Sequence, residues 1–196
     1  MRSFNEEKAI QVLSYISKKG FEDYLPILKI VFFAERYSLR KYCISILSDD
    51  FYAMKDVPVA SKTYDILKST YKFSDVNLYK AVIPTSEYKV EIEYSGDYDL
   101  LSVSDTEALD FSISVFGSRK RYLSNISHSY PEWYNCESKL KDGAKRVHMN
   151  YLDFFTNPSP ERESELRKYL RKEDPFKDDN IVLSKTVFMD GTCVTQ

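Results

Sequence analysis

Two histidines, three cysteines, two close pairs of aspartates, one basic run and a single tryptophan are the residues whose types and spacing invite a chemical reading. His128 follows Ser127 and stands five positions before Trp133. As a general base it would need an orienting acid and a nucleophile, and the surrounding sequence offers neither in a recognisable arrangement. It is therefore read as a residue at a helix end that hydrogen-bonds the backbone, or as a contact for a partner. His148 is similar, and two histidines this far apart, without carboxylates at ligand spacing, do not make a metal site. Cys43, Cys136 and Cys193 are widely separated, with no CxxC pair, zinc spacing or disulfide framework, so reduced structural thiols are expected. Asp49–Asp50 and Asp97/Asp99 are the kind of paired acids that do general acid–base work or hold magnesium. Both pairs fall at predicted turns, where aspartate is favoured for its own local hydrogen bonds. With five glycines in 196 residues there is no phosphate-cradling loop, and no GxSxG elbow is present. No catalytic residue, metal or cofactor is expected, and the chain is not read as an enzyme.

Arg119-Lys-Arg121 is the sharpest basic run, and Lys139, Lys141, Lys145 and Arg146 extend it. It suits nucleic acid, an acidic partner, or simply a solvated helix start. The formal net charge is −2, whereas phosphate-binding proteins usually carry a basic excess, and no DNA-reading motif accompanies the run. The solvated start is favoured, and nucleic acid is not expected as a partner. Trp133 and Tyr134 follow Pro131-Glu132; tryptophan serves equally as an interface anchor or as the cap of a small core. Sixteen tyrosines and twelve phenylalanines fit ordinary core use in a tyrosine-rich composition, with partner surfaces as the other reading.

The elements that must carry these residues are mostly helical. Glu6 to Lys19 has Ala9, Leu13 and Ile16 on one face, Ser3 or Asn5 as N-cap and Gly20 as stop. Leu25 to Arg40 is apolar almost all round, which marks a helix buried on more than one side, with Lys29, Glu35, Arg36 and Arg40 as its polar exits. Arg36 either pairs internally with an acid such as Asp50 or faces a partner. Phe51 to Val59 is extended around Pro58, and a helix runs from Ser61 to Ser69 with Ser61 as cap. Tyr88 to Tyr94 alternates as a half-buried strand, and a turn at Ser95-Gly96-Asp97 predicts a hairpin over residues 88–103. Ser104-Asp-Thr-Glu107 has the form of a capping box for a helix to Phe116. Arg119 to Ser127 is helical, and Pro131 ends that region. Val147 to Phe155 is short and apolar, Ser159-Pro160 opens an amphipathic helix to Lys172, Glu173 to Asn180 has linker composition, and Ile181 to Met189 is β-prone. The expected class is mostly α with a small β-hairpin (α+β): a compact helical domain over 1–155 built around helix 25–40, followed by an appendage over 156–196. With no apolar run of about 18 residues and no signal-peptide pattern, a cytoplasmic protein without a membrane span is expected.

Three stretches, taken in order, resemble the Panacea domain of SocA-like antitoxins. Leu28-Lys-Ile-Val-Phe-Phe-Ala-Glu-Arg-Tyr37 is similar to the family's lysine-bearing core helix. Asp50-Phe-Tyr-Ala-Met-Lys-Asp-Val-Pro-Val59 with Tyr64-Asp-Ile-Leu67 is similar to its central signature, which runs to Gly-Pro-Val and a tyrosine-bearing helix. Leu123-Ser-Asn-Ile-Ser-His128 with Pro131-Glu-Trp133 is similar to its late Ser-His element and tryptophan. Val57 stands where the family usually has glycine, and Asp56 where it often has an aromatic or histidine; the turn is then built differently, or that surface is retuned. The resemblance implies a mostly α domain with a small β element. It also implies an antitoxin that binds a cognate protein toxin directly, usually one encoded beside it, with an association with phage and mobile elements. A regulator binding another host protein and a DNA-binding repressor are the rival functions, and self-association is a further possibility. The candidate partner-binding residues are Arg36, Asp56, Val57, Tyr64, Arg119, Arg121, His128 and Trp133.

Overall fold

A computed structural model describes residues 3–177. The first helix, α1 (Glu6–Ser17), is capped by Asn5, whose side chain accepts the Lys8 amide. Its buried residues Ala9, Leu13 and Ile16 follow the helical period. Gly20 lies beyond it at φ +89°, a conformation open to glycine, and turns the chain toward α2 (Tyr24–Tyr42). Every residue from Ile27 to Arg40 is buried, polar ones included. Lys29, Glu35, Arg36 and Arg40 are thus not exits to solvent: a helix surrounded on all sides has no wet face on which to place them.

The strands β1 (Phe51–Ala53) and β2 (Pro58–Ala60) form an antiparallel hairpin pairing Phe51 with Ala60. Its two-residue turn is Lys55-Asp56, closed by reciprocal hydrogen bonds between Met54 and Val57 of 3.0 and 3.3 Å. Next comes α3 (Ser61–Leu67). Its cap is not Ser61 but Asp49, whose carboxylate accepts the amides of Lys62 and Thr63 at 3.0 and 2.8 Å. Burial raises the Asp49 pKa against those hydrogen bonds.

After α4 (Val76–Lys80), the hairpin consists of β3 (Val82–Ser86) and β4 (Lys89–Ile92), turning at Glu87-Tyr88. The hairpin expected over 88–103 is therefore corrected: the strand at Tyr88 pairs backward, and Tyr98–Val103 forms no strand. Of the face expected to be buried, Val90 and Ile92 are buried, while Tyr88 lies in the turn and is exposed. The turn does not fall at Gly96, which instead packs against the Tyr94 ring. The hairpin leans on the entry to α2 through Tyr24 N–H to Tyr88 O (3.0 Å) and Val90 N–H to Glu22 O (2.9 Å).

The next helix, α5 (Val103–Phe116), packs along α2. Its capping box is Ser102 with Asp105, two residues upstream of the expected Ser104–Glu107. Glu107 is drawn elsewhere, to Tyr37 (2.5 Å), Lys41 (2.5 Å) and Tyr42 on α2. A 3₁₀ segment, Gly117–Tyr122, kinks at Arg119 before α6 (Leu123–His128). Pro131 opens a helix rather than ending one, as N1 of α7 (Pro131–Tyr134). Then come α8 (Glu137–Lys141) and β5 (Val147–His148), which joins β1 to complete a sheet ordered β2-β1-β5. A 3₁₀ turn, Tyr151–Phe155, leads to α9 (Pro160–Leu170), capped by Ser159 as expected.

The segment after residue 155 packs into the same core. Leu166 and Leu170 are buried, and α9 lies on α6. Phe176, in the expected linker, is fully buried beside Phe116 (5.8 Å, 21° between rings), which stacks on Phe33 at 3.9 Å. Burying a phenylalanine is worth about 2–3 kcal/mol. The β-prone stretch 181–189 lies outside the described residues. Cys136 is a free buried thiol, and Cys193 lies outside the described residues.

Candidate functional site

The three motif stretches meet at one place, the tip of the β1–β2 hairpin. From α2, Lys29 reaches out with Nζ 2.6 Å from Ser124 Oγ on α6. Ser124 Oγ in turn donates to the Asp56 carbonyl (3.1 Å). From α7, the Trp133 indole N–H donates to the Met54 carbonyl (3.0 Å). His128 lies flat on Trp133, ring centroids 3.5 Å apart and 6° from parallel. Carbonyls on both sides of the turn are therefore gripped by groups from α6 and α7, with Lys29 behind Ser124. Lys55, Asp56 and Asn125 stay exposed around this clasp.

Burial governs its electrostatics. Desolvation, reinforced by the Lys29 charge, pulls His128 down to about 4, so the imidazole is neutral at neutral pH, and its Nε2 is buried without a partner. Burial also lowers Lys29 to about 8, opposed by Asp56. A lysine beside a serine suggests a nucleophile–base pair. The hydrogen bonds run the other way: Lys29 donates to Ser124, and Ser124 gives its proton to a backbone carbonyl. That arrangement fixes a turn and delivers no proton to a base.

Val57 is buried at the foot of the turn, and it is not among the residues with positive φ. Valine in place of glycine therefore costs no backbone strain here, because a turn closed at Met54 and Val57 asks only for ordinary angles.

Arg36 has no exposed surface and presents nothing to a partner. Its Nη1 binds both Glu132 oxygens (2.9 and 2.7 Å), and its Nη2 binds the Thr156 carbonyl (2.8 Å). Its acid is Glu132, not Asp50. The guanidinium is sandwiched by Tyr130 (4.4 Å) and Phe176 (5.1 Å). Arg40 lies behind it, holding the Phe154 and Phe176 carbonyls and Asn157. Glu132, one residue before Trp133, thus fastens α7 to α2 and supports the clasp from within.

The remaining candidates lie elsewhere. Tyr64 is half-buried on α3, with Lys68 Nζ 5.2 Å over its ring. Arg119 donates to the carbonyls of Val115 (2.6 Å) and Leu170 (3.0 Å), and Lys120 to that of Gly20 (3.2 Å). Of the basic run, Arg121 alone makes no hydrogen bond or ion pair among the described residues. Asp50 is 3.7 Å from His148, and Asp99 accepts from Gln11 (2.8 Å), so neither acid pair acts as a unit. Among the described residues no cluster of three or more metal-binding side chains occurs, and no helix is long and apolar enough to cross a membrane. Sequence reasoning passed over Lys29, Ser124 and Glu132. The signal for two of them was present: ionisable residues inside or beside apolar helical stretches have no wet face and require partners.

Together the fold and the clasp define a mostly α protein that holds a two-residue surface turn rigidly on a buried polar scaffold. The family model described as Antitoxin SocA-like, Panacea domain matches residues 27–134, more than half of the chain. The chain belongs to this family. No curated protein and no solved structure matches it.

Proposed function

We propose that this chain is a protein-binding antitoxin, acting in the cytoplasm, which neutralises a cognate protein toxin encoded beside it by direct complex formation. Membership of an antitoxin family supports this. The observation that carries the choice of surface is the clasp. The matched stretches converge on a turn whose backbone is fixed and whose side chains, Lys55 and Asp56, are exposed. A turn ordered before encounter loses little entropy on binding, which is how a small exposed loop supports affinity. Asp56 is thus the retained candidate for direct contact, with Val57, His128 and Trp133 positioning it and Arg36 bracing them from the core. The DNA-binding alternative is weakened by Arg119 and Lys120, whose donors are committed to backbone carbonyls.

The test is co-expression with the product of the adjacent gene. A complex should co-purify and growth should be restored. The charge reversals Lys55→Glu and Asp56→Lys should weaken the complex about tenfold or more while leaving far-UV circular dichroism unchanged; Lys55→Glu should also leave the thermal midpoint unchanged, whereas Asp56→Lys removes the charge that supports buried Lys29 and should lower it. If no complex forms and no growth is restored, the proposal is refuted; if binding survives both reversals, the contact surface lies elsewhere.

A further inference from the structure

A cleft of about 260 Å³ opens between the ends of α5 and α9, lined by Ser118, Arg119, Arg121, Tyr122, Tyr169 and Arg171. It is far from a generic basic surface. Three of its six lining residues are arginines and none is acidic. Arg119 is part of the wall, bonding the last-turn carbonyls of α5 and α9 and so cancelling their partial negative charge. The side chains of Arg121 and Arg171 make no hydrogen bond or ion pair among the described residues. Arg171 holds the left-handed C-cap of α9 at φ 55°, a position where glycine is favoured. Tyr122 and Tyr169 supply the aromatic side, with ring centroids 5.5 Å apart and Tyr122 43% exposed.

We propose that this cleft binds a mononucleotide, its phosphate on Arg121 and Arg171 and its base against Tyr122 and Tyr169. Guanidinium is planar and pairs with phosphate oxygens two at a time, and tyrosine faces accept any base by stacking. The volume sets the size class. It sits just under the ~300 Å³ at which small-molecule sites begin, enough for a phosphoryl group with one ring system and too little for a dinucleotide. The cleft is separate from the hairpin clasp, and this proposal stands or falls independently of toxin binding.

Isothermal titration calorimetry on the full chain tests it, with AMP, GMP, CMP and UMP, inorganic phosphate and adenosine, alongside a fluorescein-labelled oligothymidylate followed by anisotropy. Saturable one-to-one binding of the mononucleotides is expected, with phosphate alone and adenosine alone each at least tenfold weaker. Arg121→Ala should weaken AMP about tenfold, the scale of one charge-assisted hydrogen bond, and Arg121→Ala/Arg171→Ala should abolish it. Tyr122→Ala, at an exposed position, should reduce AMP affinity toward that of phosphate. No saturable mononucleotide heat would overturn the proposal, as would unaltered binding in the double arginine variant. Phosphate binding as tightly as AMP would reduce the cleft to an anion site, and oligothymidylate binding without mononucleotide binding would assign it to single-stranded nucleic acid; either result refutes the mononucleotide assignment.

Discussion

Removing Glu132 should unfold the protein far more readily than removing its whole ion pair. In Glu132→Ala the Arg36 guanidinium loses both charge-assisted hydrogen bonds from Nη1 yet stays enclosed by Tyr130 and Phe176, with its Nε already unpartnered. Arg40, close behind and itself lowered to about 10 by burial and by Arg36, adds like-charge repulsion that Glu132 had offset. Stranding a buried charge of this kind costs about 3–5 kcal/mol, a large fraction of the ~5–15 kcal/mol that holds a domain together. In Arg36→Met/Glu132→Leu no charge is stranded. The remaining loss is the Thr156 carbonyl, which forfeits its Arg36 hydrogen bond at about 1–3 kcal/mol. The double variant should therefore be more stable than Glu132→Ala alone by about 2 kcal/mol. Urea unfolding followed by far-UV circular dichroism measures this on all the variants. A loss below about 1 kcal/mol for Glu132→Ala, or a double variant as damaged as the sum of its parts, would refute the reasoning.

Four further outcomes follow from contacts elsewhere in the fold. Because the His128 pKa falls from 6.5 unfolded to about 4 folded, the unfolded chain binds more protons between those values. Wild type should then lose up to about 3 kcal/mol relative to His128→Gln as pH drops from 7 to 4, and a pH-independent difference between the two would contradict this. Glu35 works in the opposite sense: burial raises it to about 7, so its stabilising contribution, full below 4.5, is lost as pH rises from 4.5 to 7, and Glu35→Gln should gain on wild type over that window in the same titration. Ser102→Ala should cost about 1 kcal/mol by loss of the cap while Ser104→Ala costs a few tenths; equal effects in thermal unfolding would place the cap elsewhere. Trp133→Phe keeps one aromatic ring but removes the N–H to Met54 and part of the packing against His128, so it should cost about 1 kcal/mol or more and speed amide exchange at Val57; unchanged exchange there would mean that the indole does not hold the turn.

Much of this fold was legible from local pattern. Helix 24–42 follows from an apolar run too long and too complete for a surface helix, and the Asn5 and Ser159 caps follow from side-chain chemistry. The errors share one cause, competition between equally good local signals settled by distant contacts. Ser104–Glu107 is a sound capping box on paper, but Tyr37, Lys41 and Tyr42 claim Glu107 from another helix. Gly96 signals a turn, yet β4 finds its partner on the other side of it. At the site, the resemblance to the Panacea domain singled out the stretches around Asp56, His128 and Trp133. It could not reveal that Lys29 reaches Ser124, ninety-five positions away, or that Glu132 answers Arg36. Phe176 was hidden because charged neighbours gave its surroundings the composition of a linker.

The hairpin tip is gripped by its carbonyl oxygens, at Met54 and Asp56, and not by its side chains. Every residue type carries the same carbonyl. Position 55 can therefore change identity through many substitutions without loosening the grip, whereas the Asp56 carboxylate also supports the buried Lys29 charge. Folding selects the clasp, and under the proposed contact a partner selects the exposed residues of the tip. With the proposed contact surface, a lineage would follow a changing target through substitutions at the tip while its interior stays intact, and grafting other residues at position 55 is the way to redirect the proposed binding in the laboratory.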